Sequence, residues 1–538
     1  MRLSALVSLA VALVSASGAV HASVLNSRQP NPDGVIVNLN NQLALPLLHE
    51  RKIGSRAIKL DTDNIQGLTM VGMRFMMQTF VFFNITDVHT FKTKLAGDFF
   101  PHVTTATQLA DPATQPPVAV GVAFSKKGMH ALEVHDYLGD PNFKTGQAAD
   151  AVRLGDPGTV KWHKEYQDGM MGVLMVASKD MDKLTAELDA IKGVFGDSFK
   201  EVYRLHGHAR PGANMGHEHF GWVDGITQPA VEGWDTDKTI TPGQKIVPPG
   251  IILLGEEGDN VPRPAWAKSG SFLCWRQLEQ LVPEFHGYLN STAPDVKGLN
   301  RDEAIHLYGS RMNGRWKSGA PIDLSPFKED EALGADPLRR NNFNYDHPEI
   351  PGFDMKTNET ICPFSAHILR SRPRGHIQPE HPTSHMMRGG LPYGPEVTDK
   401  EAAAVRTFSE EDPTLERGMA FAAYQSNLEN GFIFIQESLI DNPDFPAGTN
   451  TGVDPLVGSR NQGPPADTGD LERIITGMDW NDNKKPITMH KDFVIARGGE
   501  YFFSPPISAI KGRLAEMNMT MPESGSGSGL NVSLELNL

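Results

Sequence analysis

The segment Met171-Gly172-Val173-Leu174-Met175-Val176-Ala177 is an apolar run of strand length, and Lys179 to Val194 follows it directly. In the second part Met181, Leu184, Leu188 and Ile191 recur at 3-4-3 spacing, which puts one helix face against a sheet. The same pairing of signals appears elsewhere. Residues 71–83 form an apolar, aromatic-rich run, and Phe91 to Leu95 reads as helical. In the second half, Gly270 to Trp275 starts a strand, Leu278 to Leu281 suggests a helix, and Met419 to Tyr424 and Phe432 to Gln436 read as further strands. Alternation in both halves predicts two α+β or α/β units, and spacing alone does not choose between them.

The chain has 538 residues, more than one small domain requires, and 39% are apolar. With 52 glycines and 39 prolines it is rich in turns without being low-complexity. The formal charge of −15 repels phosphate backbones and anionic membranes, which argues against nucleic-acid or membrane partners. Two cysteines, Cys274 and Cys362, are too few for a disulfide framework, so the core has to hold the fold.

Residues 1–22 read as a secretory signal peptide: Arg2, an apolar run from Leu3 to Val14, then small residues ending Val20-His21-Ala22. Residues 23–56, ending in a basic stretch through Arg56, read as a propeptide. Loss of residues 1–56 removes five basic and two acidic side chains and takes the charge from −15 to −18. Sequons at Asn84, Asn290, Asn358, Asn518 and Asn531 suit a glycosylated extracellular protein. Residues 57–240 and 241–522 are expected to form the two folded domains, and 523–538 a flexible tail. The stretch from 441 to 470, crowded with Asn, Asp, Pro and Gly, reads as a long functional or mobile loop.

Two segments concentrate chemistry. One is Gly216-His217-Glu218-His219-Phe220-Gly221-Trp222-Val223-Asp224-Gly225-Ile226-Thr227-Gln228-Pro229. The other runs from Cys362-Pro363-Phe364-Ser365-Ala366-His367-Ile368 through Arg370, Arg372 and Arg374 to Arg388-Gly389-Gly390-Leu391-Pro392-Tyr393-Gly394-Pro395-Glu396. Alone, each is compatible with a capped turn or a core histidine. His206, His208, His217 and His219, with Glu218, form a second histidine-rich pattern, which could instead hold a non-haem metal in a hydrolase or oxygenase.

Together with Thr62 to Gly67, Gly270 to Gln280, Tyr424 to Ser426, Asn430 to Phe432 and Arg497 to Phe503, these segments resemble the dye-decolorizing peroxidases, particularly secreted fungal members. They occur in order over about residues 62–510. The resemblance implies an α+β fold of two ferredoxin-like domains, with one haem b held mainly by the C-terminal one. It also implies hydrogen peroxide as oxidant and bulky dyes, phenols or Mn2+ as one-electron donors. A haem-binding protein without turnover is the other reading, but it has no use for both Asp224 and Arg388.

Carried onto this chain, the resemblance makes His367 the axial haem ligand, Asp224 the acid–base residue and Arg388 the cation on the opposite haem face. Asp454 is the candidate carboxylate behind His367, since such a partner orients the imidazole and raises its basicity. Arg374, and after it Arg372, are candidates for the haem propionates. Tyr393 matches a position near the haem channel and is a candidate electron relay. Trp222 is expected to be buried beside Asp224, whereas Trp316 and Trp480, in polar surroundings, are candidate surface oxidation sites. A catalytic Asp stays ionised in acid, so an acidic pH optimum is expected.

Overall fold

The computed structural model describes residues 29–30, 36–37, 58–156, 158–375, 381–459 and 473–516. The expected signal peptide, tail and two of the sequons (Asn518, Asn531) lie outside these, as does all of the expected propeptide except two short paired segments.

Four strands come from the first half: β1 (Met77–Ile85), β2 (Val118–Ser125), β3 (Gly172–Ser178) and β4 (Phe199–His208). The second half supplies β5 (Ser271–Gln280), β6 (Met387–Arg388), β7 (Leu391–Tyr393), β8 (Gly418–Gln425) and β9 (Val494–Ser504). All nine pair antiparallel. The first half is ordered β4-β1-β3-β2, and the second repeats the pattern, with β6 and β7 lying end to end beside β8, then β5 and β9. This is the α+β, ferredoxin-like order in both halves. The halves are not separate sheets, however. Tyr393 pairs with Gly207 at one seam, and Phe502 and Phe503 pair with Ser125 and Phe124 at the other. The sheet therefore closes into a barrel, which leaves neither half an open edge at these seams.

Closure explains the uninterrupted apolar runs. Alternate side chains such as Phe80, Phe82, Met175, Trp275 and Tyr424 fill one buried cluster. Their neighbours Val81, Phe83, Leu174 and Val176 fill another on the opposite face. Both faces of β1, β2 and β3 are buried, so these strands need no polar alternation.

Helix α1 (Val88–Lys94) and helix α2 (Met181–Phe195) follow β1 and β3. Asp180 caps α2 by accepting from the Asp182 and Lys183 amides, and Gly196, at φ +52°, ends it. Leu184, Leu188, Ile191 and Phe195 are buried against the barrel, each worth roughly 1.5–3 kcal/mol of apolar burial. Met181 belongs to the sequence pattern but is 38% exposed, because it occupies the first helical turn.

Two sequence expectations fail. Leu278 lies inside β5, and the helix α3 begins only at Val282 and runs to Thr292. Phe432 to Gln436, expected as a strand, is helical and buries Phe432, Ile433 and Ile435. A short apolar run looks alike in a buried strand and a buried helix. Helix α4 (Arg301–Asn313) and the five-residue helix α5 (His367–Ser371) carry a separate apolar cluster beside the barrel, which includes Leu307, Phe343, Phe364 and Leu369. Both cysteines are free and buried. Among the described residues no helix is long and apolar enough to cross a membrane.

Candidate active site

The loop between β4 and β5 carries Asp224. Its amide donates to the Gly216 carbonyl at 3.0 Å, and a bridge between His217 and Val223 closes the turn. Gly225, at φ +75°, lets the chain reverse, and its amide donates to Asp224 Oδ1 at 2.6 Å. Arg388 reaches the same oxygen from β6, Nη1 to Oδ1 2.9 Å. Gln228 locks the two segments together. Its side-chain oxygen accepts from the Arg388 amide at 3.0 Å, and its Nε2 donates to the Arg388 carbonyl at 2.9 Å. This clamp joins residues 160 apart, and no spacing rule in the sequence announces it.

His367 opens α5, and its Nδ1 lies 2.7 Å from Asp454 Oδ2. Asp454 is fully buried in the 441–459 loop, where its other oxygen accepts from the Leu456 and Val457 amides at 2.8 and 3.0 Å. With Nδ1 occupied, no hydrogen bond to Nε2 occurs among the described residues.

The two constellations sense each other. Burial raises the Asp224 pKa, but Arg388, the Gly225 amide and His367 outweigh it, leaving the carboxyl below the ordinary aspartate value. Burial pulls His367 down, but Asp454, and after it Asp224, leaves its pKa raised, with Arg388 opposing. The side chains of His367, Asp224 and Arg388 keep 30%, 26% and 32% of their surface accessible. Desolvation is nevertheless the largest influence on His367 and Asp224. Groups that are partly accessible yet desolvated are recessed from the outer surface.

A cationic cluster follows His367 in the chain. Arg374 stacks on Phe343, 4.0 Å from the ring centre, and donates to the carbonyls of Asn341 and Phe343 and to the Asn341 side chain. Its terminal nitrogens are thus committed, which removes the basis for making it the first propionate partner. Arg372 is the less committed of the two. Burial, and then Arg374, pulls its pKa down to about 9, and its guanidinium has no anionic partner among the described residues. Arg315 nearby is likewise held at about 9 by burial and by Arg374. Such a cluster calls for anionic ligand groups.

The histidine-rich alternative fails. His206 Nδ1 lies 2.7 Å from Thr79 Oγ1, His217 Nδ1 3.2 Å from the Met215 carbonyl, and His219 Nε2 2.8 Å from the Tyr393 carbonyl. Glu218 accepts from the Phe220 and Trp222 amides and from Gln280. These groups are engaged with a hydroxyl, backbone carbonyls, backbone amides and a side-chain amide, and no metal-holding cluster of these residue types occurs among the described residues. Trp222 is buried, with Nε1 donating to the Arg315 carbonyl. Trp316 is buried too, contrary to the surface-site expectation, because Nε1 donates to the Ser325 carbonyl. Trp480 is half-buried under Arg311, against Phe327. Tyr393 is buried, and its hydroxyl donates to Glu416 at 2.7 Å.

Residues 64–211 match the family model described as the DyP dimeric alpha+beta barrel domain. The chain is 43% identical over 502 residues to dye-decolorizing peroxidase msp1 of Mycetinis scorodonius, covering 92% of this chain and 96% of that one. It is 46% identical over 470 residues to a dye-decolorizing peroxidase of Auricularia auricula-judae, covering 85% and 88%. The crystal structure of a decolorizing peroxidase from Auricularia auricula-judae superposes with a TM-score of 0.78 at 45% identity, over 85% of this chain and 100% of that one. A solved dye-decolorizing peroxidase whose haem pocket was engineered for asymmetric sulfoxidation is 44% identical, with a TM-score of 0.78 and the same coverage. Barrel and relatives together define the class, a peroxidase of the oxidoreductases. The chain belongs to the dye-decolorizing peroxidase family.

Proposed function

We propose that this protein is a secreted haem peroxidase that reduces hydrogen peroxide and oxidises bulky dyes and phenols in one-electron steps. One observation carries the reading: an imidazole braced by a buried carboxylate lies within electrostatic reach of a carboxylate paired with a guanidinium. The donor set fits haem b. His367 would hold the iron through Nε2, with Asp454 fixing the ring and its tautomer. Arg372 would hold a propionate. Haem, when bound, would supply a redox-active iron and macrocycle that together take up the two oxidising equivalents of peroxide.

The chain supplies the proton chemistry. Asp224 is ionised at and below neutral pH, so it can take a proton from one peroxide oxygen and return it to the other, which leaves as water. Arg388 stays charged and neutralises negative charge as the O–O bond breaks. Gln228 keeps the guanidinium on station. A bulky dye does not reach recessed, desolvated groups of this kind, so its electron is proposed to arrive through Tyr393. Secretion and glycosylation are part of the proposal. Among the described sequons Asn290 is exposed at the end of α3, whereas Asn84 sits in β1 with its side-chain oxygen accepting from the Met171 amide.

The test is the absorption spectrum of the purified protein with and without peroxide, followed by assay of Asp224→Asn. A haem Soret band that changes with peroxide is expected, and the variant should lose roughly 10²- to 10⁴-fold in peroxide-dependent turnover. Dye oxidation should be fastest in acid, where Asp224 keeps its charge. Haem-free protein, or full turnover by the Asn variant, refutes the reading.

A further inference from the structure

Glu416, two residues before β8, sits where three elements meet. One of its oxygens accepts from the Tyr393 hydroxyl on β7 at 2.7 Å and from Gln277 Nε2 on β5 at 2.7 Å. The other lies 3.1 Å from Nε2 of His163. Tyr393 and Glu416 are 3% and, in side-chain terms, 10% exposed, whereas the His163 side chain is 31% exposed. The chain is thus phenol, buried carboxylate, imidazole, solvent. Tyr393 is five residues beyond Arg388, which keeps the two Cα atoms within about 18 Å. Glu279, fully buried, is held by Arg497 and Ser409 and is not part of this chain.

We propose that Glu416 is the proton acceptor that lets Tyr393 carry electrons, holding the proton until the phenoxyl is reduced again. This rests on the reading of Tyr393 as the relay. The step balances as follows. The Tyr393 phenol gives one electron to the centre oxidised by peroxide, and in the same event its O–H bond breaks and the proton goes to the Glu416 carboxylate. A neutral phenoxyl radical and a carboxylic acid remain. An aromatic donor at the surface then supplies one electron, the proton returns from Glu416, and the donor leaves as its one-electron oxidised form. A phenol that has lost an electron is a very strong acid, so a buried tyrosine without an acceptor would have to carry an uncompensated charge, which the interior disfavours. In the resting protein the proton stays on the phenol: burial and the Glu416 charge push the Tyr393 pKa far up, and, against burial, His163, Tyr393 and Gln277 keep that of Glu416 low. Glu416 touches neither substrate nor cofactor. It is a positioning residue that acts through Tyr393.

The experiment is freeze-quench electron paramagnetic resonance of the holoenzyme mixed with peroxide, comparing the unaltered protein, Tyr393→Phe and Glu416→Gln. The Gln variant keeps the shape and an acceptor for the phenol but takes no proton. The expected result is a tyrosyl signal that is absent in Tyr393→Phe and forms on the order of 10²-fold more slowly in Glu416→Gln. A tyrosyl signal that survives intact in Tyr393→Phe overturns the relay, and this inference with it. Loss in Tyr393→Phe but an unchanged rate in Glu416→Gln overturns only the role of Glu416. In the unaltered protein in D2O, electron–nuclear double resonance should find an exchangeable deuteron hydrogen-bonded to the phenoxyl oxygen. Its absence overturns the proposal independently of how the variants fold.

Discussion

Replacing Asp454 by Asn changes one oxygen to an NH2 group without changing shape, and the structure dictates that the amide cannot satisfy its site. Oδ1 of Asp454 serves two backbone amides and Oδ2 serves His367 Nδ1, so all three neighbours are donors. In either orientation the new NH2 meets a donor. If it faces the amides, two buried N–H groups lose their acceptor. If it faces His367, the ring loses its anchor and the carboxylate that raises its basicity. A buried polar group left unpaired costs about 1–3 kcal/mol, and a hydrogen bond to a charged group contributes about 1.5–3 kcal/mol. The folded protein should therefore lose about 2–4 kcal/mol in denaturant titration, the two effects overlapping in one site. Loss of a ligand's supporting partner typically reduces metal affinity or activity 10- to 100-fold, or about 1.4–2.7 kcal/mol, so the two scales agree. The assay is haem titration of the refolded protein beside urea unfolding of the haem-free form. An Asn variant with unaltered haem affinity and a midpoint within error of the parent refutes the reasoning, because the carboxylate would then be neither support nor structure.

Gln228→Ala removes both bonds to the Arg388 backbone, and peroxide-dependent turnover should fall about tenfold as the guanidinium drifts, an amount equivalent to about 1.4 kcal/mol, with haem binding retained. Steady-state kinetics at saturating dye would show it, and an unchanged rate excludes the clamp. Arg372→Ala relieves an unpaired, desolvated cation and should leave the haem-free protein as stable or more so while weakening haem binding, whereas the reverse pattern would assign Arg372 a structural role. His347 is buried between Asp323 and Glu349; desolvation lowers its pKa, but the two carboxylates more than compensate and the net shift is upward. A raised folded pKa means that the stabilisation is complete below the unfolded value near 6.5 and is lost as pH rises through the folded one. Thermal melting from pH 6 to 9 should thus fall more steeply for the parent than for His347→Gln, and parallel curves would contradict it.

Much of the barrel was legible along the chain. The run 171–177 and the 3-4-3 pattern after it mark β3 and α2 within a residue or two, since a helix against a sheet must repeat its apolar face. Phe432 to Gln436 misled because a dry helix and a dry strand can have the same composition. His367, Asp224 and Arg388 could be named because the resemblance aligned motifs around them, not because composition or spacing distinguishes a site histidine from a core one. The ordering of Arg372 over Arg374 was not legible, since both lie in one basic stretch and only the carbonyls of Asn341 and Phe343 separate them.

By itself the sequence determined most of the strand and helix signals, the acidic charge and, through ordered motifs, the family with its α+β fold, because these depend on residues near one another or on motif order. The tertiary structure decided the rest. It joined two four-stranded halves through Tyr393–Gly207 and Phe503–Phe124 into one closed barrel. It brought Asp454 to His367 across 87 residues and Gln228 to Arg388 across 160. It also gave Glu416 three partners that no local pattern links. The physical reason is that hydrogen-bond partners and desolvation are properties of position in space, and chain proximity constrains them only within a few residues.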